Sequence, residues 1–226
     1  MSPKIAWKTY LHYFRNPIAR AKPNAGHIGL AEIEKMMKMR GEGYTLKIIT
    51  QNVDALHQRA GSTEVYELHG TVYRHVCSKN KHLHQYQIDV VGLDASGYNP
   101  EEDEFFKLDS IPTCQESGCG SYLRPDAVLF TEGLPAESWR NSERAINELK
   151  KDDLLIVIGT SGVVYPAASI PQEVAASRKT NVIEINPERS ALTHGIEANG
   201  GIFLPTTAAT VVPKFVEYYE QKLAKA

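Results

Sequence analysis

The sequence lacks an excess of either charge and has no long apolar run. Its formal net charge is −2, so no global attraction for nucleic acid or an anionic membrane is expected. No apolar stretch approaches the roughly 20 residues that span a bilayer. With 226 residues, 42% of them hydrophobic, the chain suits one large domain, with or without a small insert. We therefore predict neither nucleic acid nor membrane as a partner.

Cysteine is also scarce. The chain has three cysteines, Cys77, Cys114 and Cys119. This small, odd number argues against a secreted domain held together by disulfides and favours a reducing, intracellular compartment. It does not distinguish a mitochondrial, a cytoplasmic and a nuclear location.

Acidic residues are missing from residues 1–31. The basic residues of this stretch are Lys4, Lys8, Arg15, Arg20 and Lys22. Such a composition is typical of a mitochondrial transit peptide or of a basic amphipathic helix within the fold. The second interpretation is favoured by aromatic residues suited to packing, namely Trp7, Tyr10, Tyr13 and Phe14.

Short apolar runs alternate with helical periodicity along the rest of the chain. Strands are predicted at 45–50, 153–161, 181–188 and 201–205, and helices at 4–15 (ended by Pro17), 27–40, 135–151, 165–179 and 212–226. This rhythm predicts an α/β fold with a Rossmann-like, doubly wound parallel sheet. The loops that begin at Gln51, Gly159 and Asn186 are then expected at one sheet edge, facing one ligand.

Residues 71–126 interrupt this rhythm. They hold all three cysteines and the acidic run EEDE at 101–104, and they predict a small, loop-rich module. The main domain would comprise residues 1–70 and 127–226, with a helical segment at 4–40.

The segment from Thr50 to Gly70 concentrates residues suited to chemistry. The amide side chains of Gln51 and Asn52 can pair with a carboxamide, which needs both a donor and an acceptor, and Asp54 adds an acceptor. A neutral histidine side chain such as that of His69 can take a proton from a sugar hydroxyl. The glycine that follows it lets backbone approach a ligand closely.

A set of motifs occurs in a fixed order along the chain. They are QNVDxLHxxAG (51–61), LHG (68–70), Cys77, the pair Cys114 and Cys119, IGTS (158–161) and IN (185–186). In this order they resemble the sirtuin family, closest to the class typified by the mitochondrial desuccinylase-type sirtuins. The resemblance covers nearly the whole chain and implies a zinc-ribbon-like module at 71–126, with the helical segment on the substrate side.

The resemblance implies an NAD-dependent protein-lysine deacylase. Such an enzyme transfers the acyl group of an acyl-lysine protein or peptide to ADP-ribose and releases nicotinamide. His69 would be the base, Asn52 and Asp54 would line the nicotinamide side, and Gln51 would lie near the ribose. Val53 belongs to the same cofactor loop.

Further positions follow from the resemblance. The turn Gly159, Thr160 and Ser161 would hold phosphate or ribose, although these residues alone also fit a plain strand-to-helix turn. The adenosine side would comprise Asn186, Pro187, Glu188 and Gly200. The substrate peptide would add as a strand between two segments, Phe130, Thr131 and Glu132 on one side and Gly162, Val163 and Val164 on the other. The alternative for the two valines is ordinary core packing.

Two departures from the family leave alternatives open. Sirtuins begin with a glycine-rich phosphate-binding segment on the first strand, and this sequence starts after it. The chain could therefore be a truncated, non-catalytic sirtuin-like protein that binds acyl-lysine peptides or partners, while ADP-ribosyl transfer is a third option. The family also holds structural zinc with two cysteine pairs, and Asn80 replaces one of those cysteines. His82 or His84 could complete the set with Cys77, Cys114 and Cys119, or zinc binding is lost.

A third departure concerns the acyl group. Desuccinylase-type sirtuins carry Tyr-x-x-Arg, whose hydroxyl and guanidinium bind an acyl carboxylate. Alignment without gaps from Pro23 places Leu11 and Phe14 at these positions. Tyr13 and Arg15 are nearby, but a shift of one residue rotates a helical side chain by about 100°. A neutral acyl group, from acetyl to a longer fatty chain, is therefore expected.

We expect the protein to cleave acetyl- or decanoyl-lysine peptides faster than a succinyl-lysine peptide of the same sequence. Two apolar side chains offer an acyl carboxylate no ion pair, so the succinyl group would lose its hydration without compensation. Initial rates with the three peptides provide the measurement. Preferential cleavage of the succinyl peptide would contradict the expectation.

Overall fold

The computed structural model describes residues 3–41, 43–79, 83–87, 89–91, 111–129 and 131–224. The chain forms two compact units. Unit 1 comprises Met1–Pro23 and Thr50–Pro135, and unit 2 comprises Asn24–Ile49 and Ala136–Ala226. The division at 71–126 expected from the sequence stays a prediction. Within the described ranges, no helix has both the length and the apolar character needed to cross a bilayer.

Helices and strands alternate along the chain. The helices are α1 (Pro3–Tyr10), a π-helical turn (Leu11–Arg15), α2 (Asn16–Arg20), α3 (Ala25–Arg40), α4 (Leu56–Arg59), α5 (Ala136–Asn147), α6 (Ser169–Ser177), α7 (Thr193–Ala198) and α8 (Ala208–Leu223). The strands are β1 (Ile48–Thr50), β2 (Val65–Glu67), β3 (Gly70–Cys77), β4 (Leu83–Gln87), β5 (Leu123–Ala127), β6 (Leu154–Ile158), β7 (Asn181–Asn186) and β8 (Ile202–Pro205).

Unit 2 contains a parallel sheet in the order β6-β7-β8. Ile158 at the end of β6 pairs with Ile185 in β7, and Asn186 pairs with Pro205 at the end of β8. The carboxyl ends of all three strands therefore meet at one edge. This confirms a parallel sheet for the strands predicted at 153–161, 181–188 and 201–205, which are short apolar runs. The strand predicted at 45–50 corresponds to β1, which pairs with β2 in a separate two-stranded sheet.

Helices α6 and α7 cover this sheet. The core between these helices and the sheet consists of aliphatic side chains. Burial of each Val, Leu or Ile side chain stabilises the fold by about 1.5–3 kcal/mol. The core residues are Val157, Val174, Ala175, Val182, Leu192 and Ile196.

Helices α3 and α8 pack closely in the same unit because glycines lie at their contact. A Cβ atom on Gly26 would lie 2.9 Å from the Cβ of Ala208, and one on Gly29 would lie 2.8 Å from Val212. The KPNAGH segment also begins α3, because the Asn24 side chain accepts hydrogen bonds from the Gly26 and His27 amides. The predicted helix at 27–40 is confirmed.

Residues 3–20 are an integral helical part of unit 1. Their buried positions recur every fourth residue, at Trp7, Leu11, Arg15 and Ala19. The Trp7 ring lies 5.4 Å from that of His75, and the Arg15 guanidinium lies 4.7 Å from the centre of the Tyr73 ring. The interpretation of this stretch as a packed helix is confirmed for Trp7 and Tyr10, whereas Tyr13 and Phe14 are exposed and do not pack into the core.

The prediction that Pro17 ends the first helix is wrong. The backbone continues through the π-helical turn into α2, where Pro17 occupies the first turn. Proline is tolerated here because it falls in the first turn of α2, directly after the π-helical turn in which the Asn16 amide donates to the Leu11 carbonyl.

The described part of 71–126 is more regular than the expected loop-rich module. Strand β3 lies between β4 and β5 in an antiparallel sheet. Gly70 pairs with Ala127 and Cys77 with Leu123. Every residue of β3 except Arg74 is buried, so its mixture of Thr, Tyr, His and Val gave no alternating pattern. The EEDE run lies outside the described residues.

Substituting Gly70 by Ala should lower the free energy of unfolding by at least about 2 kcal/mol. Its φ of +73° is left-handed, which costs an L residue about 1–2 kcal/mol. In addition, the new Cβ would clash with the Asp126 carbonyl oxygen, so the backbone must move. Urea unfolding provides the measurement.

Gly43→Ala is the matched control. Gly43 has a φ of +95°, and nothing lies within 4 Å of its Cβ position. It therefore reports the conformational cost alone. Equal losses in the two variants would show that the close approach at Gly70 has no energetic weight.

Candidate active site

The loop Gln51–Asp54 of unit 1 follows β1 and is held by backbone hydrogen bonds. The Leu68 amide donates to the Thr50 carbonyl at 2.8 Å, and the Val72 amide donates to the Val53 carbonyl at 3.0 Å. The Asn52 amide donates to the Thr50 hydroxyl oxygen at 3.1 Å. The Asn52 side chain is exposed, whereas Gln51 is half-buried. The loop thus has a fixed backbone and an accessible amide side chain.

His69 lies against this loop. Its Nδ1 is 3.0 Å from the Gln51 carbonyl oxygen. A carbonyl oxygen can only accept, so Nδ1 carries the proton and Nε2 of the neutral ring carries the lone pair. The Val128 amide donates to the His69 carbonyl at 3.0 Å, which fixes the backbone as well. The geometry leaves Nε2 as the basic atom.

Asp54 and Ala55 start the short helix α4. One Asp54 carboxylate oxygen accepts from the Leu56 amide at 3.0 Å. Ala55 is buried and left-handed, with a φ of +53°, which is uncommon for a residue with a Cβ. Packing of Ala55 against Val72 and Tyr73 holds this conformation.

The buried carboxyl group of Glu67 lies at the end of β2, two residues before His69. Glu67 accepts from the Gln58 amide at 2.9 Å and lies 3.7 Å from Arg74. Burial raises the pKa of the Glu67 carboxyl, although the positive charge of Arg74 opposes this shift. Arg74 also donates to Asp126 at 2.7 Å and so ties β3 to β5.

In unit 2, the loops after β6 and β7 meet. The Gly159 amide donates to the Ile185 carbonyl at 3.0 Å, and the Asn186 side chain donates to the Thr160 carbonyl at 2.9 Å. Gly159 is left-handed, with a φ of +60° and no atom within 4 Å of its Cβ position. Gly159 and Ser161 are both exposed. The turn therefore presents open backbone at the carboxyl edge of the sheet.

The remaining predicted adenosine-side residues divide between two edges. Pro187 and Glu188 directly follow β7 and are exposed at the carboxyl edge. Gly200 precedes β8 and lines a cavity of about 140 Å³ with Asn181, which begins β7. The structure therefore places Gly200 at the opposite, amino-terminal edge of the sheet and does not bring it together with Asn186.

Sequence reasoning missed the residues that do follow β8. Thr206 and Thr207 come directly after Pro205, and Thr207 caps α8 by accepting from the Thr210 amide. Because β8 is the third parallel strand, its own carboxyl-end loop reaches the edge of Gly159 and Asn186. The rule that located the other loops could have identified these threonines.

The predicted substrate residues of unit 1 differ in exposure. Glu132 is held by Arg124, which donates to both carboxylate oxygens at 2.9 and 3.0 Å. Thr131 is exposed and left-handed, whereas Phe130 lies outside the described residues. Leu11 is buried with Trp7, and Phe14 is 56% exposed.

In unit 2, the predicted peptide-binding segment is an exposed strip of chain. Val163 and Val164 are 63% and 48% exposed, so they do not belong to the core. Gly162 is buried, and a Cβ there would clash with the Leu192 side chain. Two adjacent exposed valines present an apolar surface that water solvates poorly.

The three cysteines meet in unit 1. Their Sγ atoms all lie within 4.8 Å of one another, and those of Cys77 and Cys119 are 3.6 Å apart. Two thiolates on a tetrahedral zinc ion, with Zn–S bonds of about 2.3 Å, are about 3.8 Å apart. Hydrogen bonds from Ser121 lower the pKa of the Cys119 thiol, whereas burial raises that of Cys114. The donor set and its spacing therefore suit zinc.

The fourth ligand of such a site is not among the described side chains. Asn80 and His82 lie outside the described residues, as does the side chain of His84. His75 is buried against Trp7. The role of His82 or His84 stays a prediction.

Comparison with known proteins gives a consistent result. A sequence model described as the Sir2 family matches residues 2–166. The NAD-dependent protein deacylase 2 of Pyrobaculum aerophilum is 40% identical over 221 residues, which cover 98% of this chain and 75% of the relative. The mitochondrial NAD-dependent protein deacylase sirtuin-5B of Xenopus laevis is 35% identical, covering 85% of this chain and 61% of the relative.

Solved structures agree in fold. A Sir2 homologue in complex with NAD has a TM-score of 0.76 and 32% identity, covering 98% of this chain and 74% of that one. Sir2Tm bound to a propionylated peptide has a TM-score of 0.71 and 26% identity, covering 96% of this chain and 79% of that one.

We expect the purified protein to carry a stoichiometric zinc ion that Cys114→Ser largely removes. A serine hydroxyl is a far weaker zinc ligand than a thiolate, and zinc affinity depends on the complete donor set. Metal content by atomic emission provides the measurement, with exposed Ser117→Ala as the control. Zinc-free wild-type protein, or full occupancy in Cys114→Ser, would contradict this.

Proposed function

Because the chain belongs to the Sir2 family, we propose that it is an NAD-dependent protein-lysine deacylase that acts on acyl-lysine proteins or peptides. The observation that carries this proposal is the hydrogen bond from His69 Nδ1 to the Gln51 carbonyl. It leaves a basic nitrogen beside a loop whose amide side chains suit a carboxamide. The names of the relatives support the same activity.

His69 would act as the base. When bound, NAD would supply an activated ribose, and the overall reaction would consume one water molecule and give nicotinamide, acylated ADP-ribose and the free lysine amine. His69 Nε2 would take the proton of a ribose hydroxyl as that oxygen attacks the acyl carbon. The Gln51 carbonyl would stabilise the resulting imidazolium, because Nδ1–H remains its donor in both protonation states. The fixed backbone at Val128 and Thr50 would keep the ring oriented.

The loop Gln51–Asp54 would bind the nicotinamide half of the cofactor. The exposed Asn52 side chain offers both a donor and an acceptor to a carboxamide. Asp54 keeps one carboxylate oxygen on the Leu56 amide, so the other oxygen is the one available to the ligand. Val53 and Gln51 would line the same side, with Gln51 near the ribose.

The loops of unit 2 would bind the phosphate and adenosine half. The open backbone of Gly159, Thr160 and Ser161 suits phosphate or ribose oxygens, and the Glu188 carboxylate suits ribose hydroxyls. Asn186 fixes the turn through its bond to Thr160, and Pro187 lies beside it. At this edge we propose Thr206 and Thr207, rather than Gly200, on the adenine side.

The acyl-lysine peptide would bind as an added strand. In unit 2, Gly162, Val163 and Val164 would offer backbone groups to this strand, and the two valines would add exposed apolar side chains. Phe130 and Thr131 would be further substrate residues, carried over from the family resemblance. Because backbone hydrogen bonds do not depend on side chains, this mode tolerates many sequences around the lysine. Glu132 would act by fixing this segment through Arg124. Leu11 and Phe14 would favour a neutral acyl group.

His69→Ala should lower kcat at least 100-fold, in keeping with the typical contribution of a general base. Nicotinamide release from NAD and an acetyl-lysine peptide provides the measurement. His194→Ala is the control, because His194 is exposed on α7. Comparable losses in both variants would argue against a specific role of His69. Absence of turnover and of NAD binding in the wild type would instead support a non-catalytic sirtuin-like protein.

A further inference from the structure

A carboxylate is buried in the middle of the parallel sheet. Glu184 lies in β7 and is 1% exposed. Its Oε1 accepts from the Ser190 hydroxyl at 2.5 Å. Its Oε2 is buried and has no hydrogen-bond partner within the ranges that the structure describes. Burying a carboxylate is unfavourable unless the structure gains something from it, so this residue needs an explanation.

The Ser190 hydroxyl links Glu184 to the loop that follows β7. Ser190 Oγ accepts from the Leu192 amide at 3.0 Å, so its single proton is available for Glu184. The Ser190 amide in turn donates to the hydroxyl oxygen of Thr193 at 2.9 Å, and Thr193 is 1% exposed. The Thr193 amide also donates to the Ser190 carbonyl at 3.4 Å, so Ser190 takes part in four hydrogen bonds, of which the one to Glu184 anchors the loop to the sheet.

This loop supports the turn after β6. The Ala191 amide donates to the Ser161 carbonyl at 3.2 Å, and the Asn186 side chain donates to the Thr160 carbonyl. The Leu192 side chain fills the space beside Gly162. The position of the Gly159–Gly162 turn thus depends on residues 186–192 on two sides.

A second anchor of the same loop is weaker. Arg189 forms an ion pair with Glu197 at 2.7 Å, but the two side chains are 62% and 39% exposed. Exposed ion pairs contribute little to stability because water and salt screen them. Of these two anchors, the buried bond between Ser190 and Glu184 is the stronger one, and it acts together with the burial of Leu192 in the core.

We propose that Glu184, acting through Ser190, is a positioning residue for the cofactor half-site of unit 2. It holds residues 186–192 so that Ala191 and Asn186 fix the carbonyl groups of Ser161 and Thr160. This orientation turns the open backbone at Gly159 toward the ligand. The inference rests on the proposed function, because that function makes the turn a nucleotide site.

Ser190→Ala tests the proposal with little change in volume. It should raise the KM for NAD about fivefold, as expected for the loss of one positioning hydrogen bond. It should leave kcat and the KM for the acyl peptide within about twofold, because His69 is untouched. Ser190→Thr restores the hydroxyl and should largely restore the KM for NAD.

Ser177→Ala is the matched control. The Ser177 hydroxyl also donates to one carbonyl, that of Val174 at 2.8 Å, and accepts from the amide two residues later, Lys179 at 3.3 Å. It lies at the end of α6, and no described bond joins it to the Gly159–Gly162 turn. Ser177→Ala should leave the KM for NAD unchanged.

Amide hydrogen exchange gives a readout that does not need activity. In Ser190→Ala, the amides of residues 159–162 and 186–192 should exchange at least fivefold faster, and those of β6 should not change. The proposal would be overturned if the Ser190→Ala and Ser177→Ala variants had the same KM for NAD and the same amide exchange rates. If the wild type shows no turnover and no NAD binding by calorimetry, the proposed function fails, whereas unaltered exchange specifically refutes the positioning role.

Discussion

The hydrogen bond between His69 Nδ1 and the Gln51 carbonyl is the interaction on which the candidate site depends. It determines which ring nitrogen is basic, and it requires the loop after β1 to keep one conformation. Residues outside the loop contribute to this conformation. Val53 is held by β3, and Gly70 allows β3 to approach Asp126 so closely that no side chain fits. The orientation of the His69 ring and the packing of unit 1 therefore depend on the same backbone contacts.

Unit 2 meets a different requirement, which is to present backbone rather than side chains. Its parallel sheet brings three carboxyl-end loops to one edge, where the Gly159 turn has open space around it. Such a turn has few contacts of its own, so it needs support from neighbouring segments. Asn186 and the segment anchored by Glu184 provide that support. Burial of the Glu184 carboxylate is unfavourable for the stability of the sheet. The proposed role of Glu184 in holding residues 186–192 explains why it is buried there.

Features with local physical signals could be predicted from the sequence, and features set by tertiary contacts could not. The strands of unit 2 are apolar runs, and α3 begins at an Asn cap, so both were predictable. Strand β3 was missed because it is buried on both faces despite its polar residues. Pro17 was misjudged because it follows a π-helical turn that has no sequence signal. Gly200 precedes β8 and so lies at the amino-terminal edge of the sheet, because strand direction, not proximity in sequence, decides which loops meet.

The central claim is that the neutral His69 ring carries its proton on Nδ1. Nitrogen-15 NMR of protein labelled at the histidine ring nitrogens, with His69→Ala to assign the signal, tests this claim directly. Above the pH at which the ring loses its positive charge, we predict a protonated Nδ1 and an unprotonated Nε2 for His69. A neutral ring protonated on Nε2 would contradict the account, because Nδ1 could not donate to Gln51 and Nε2 could not accept a proton.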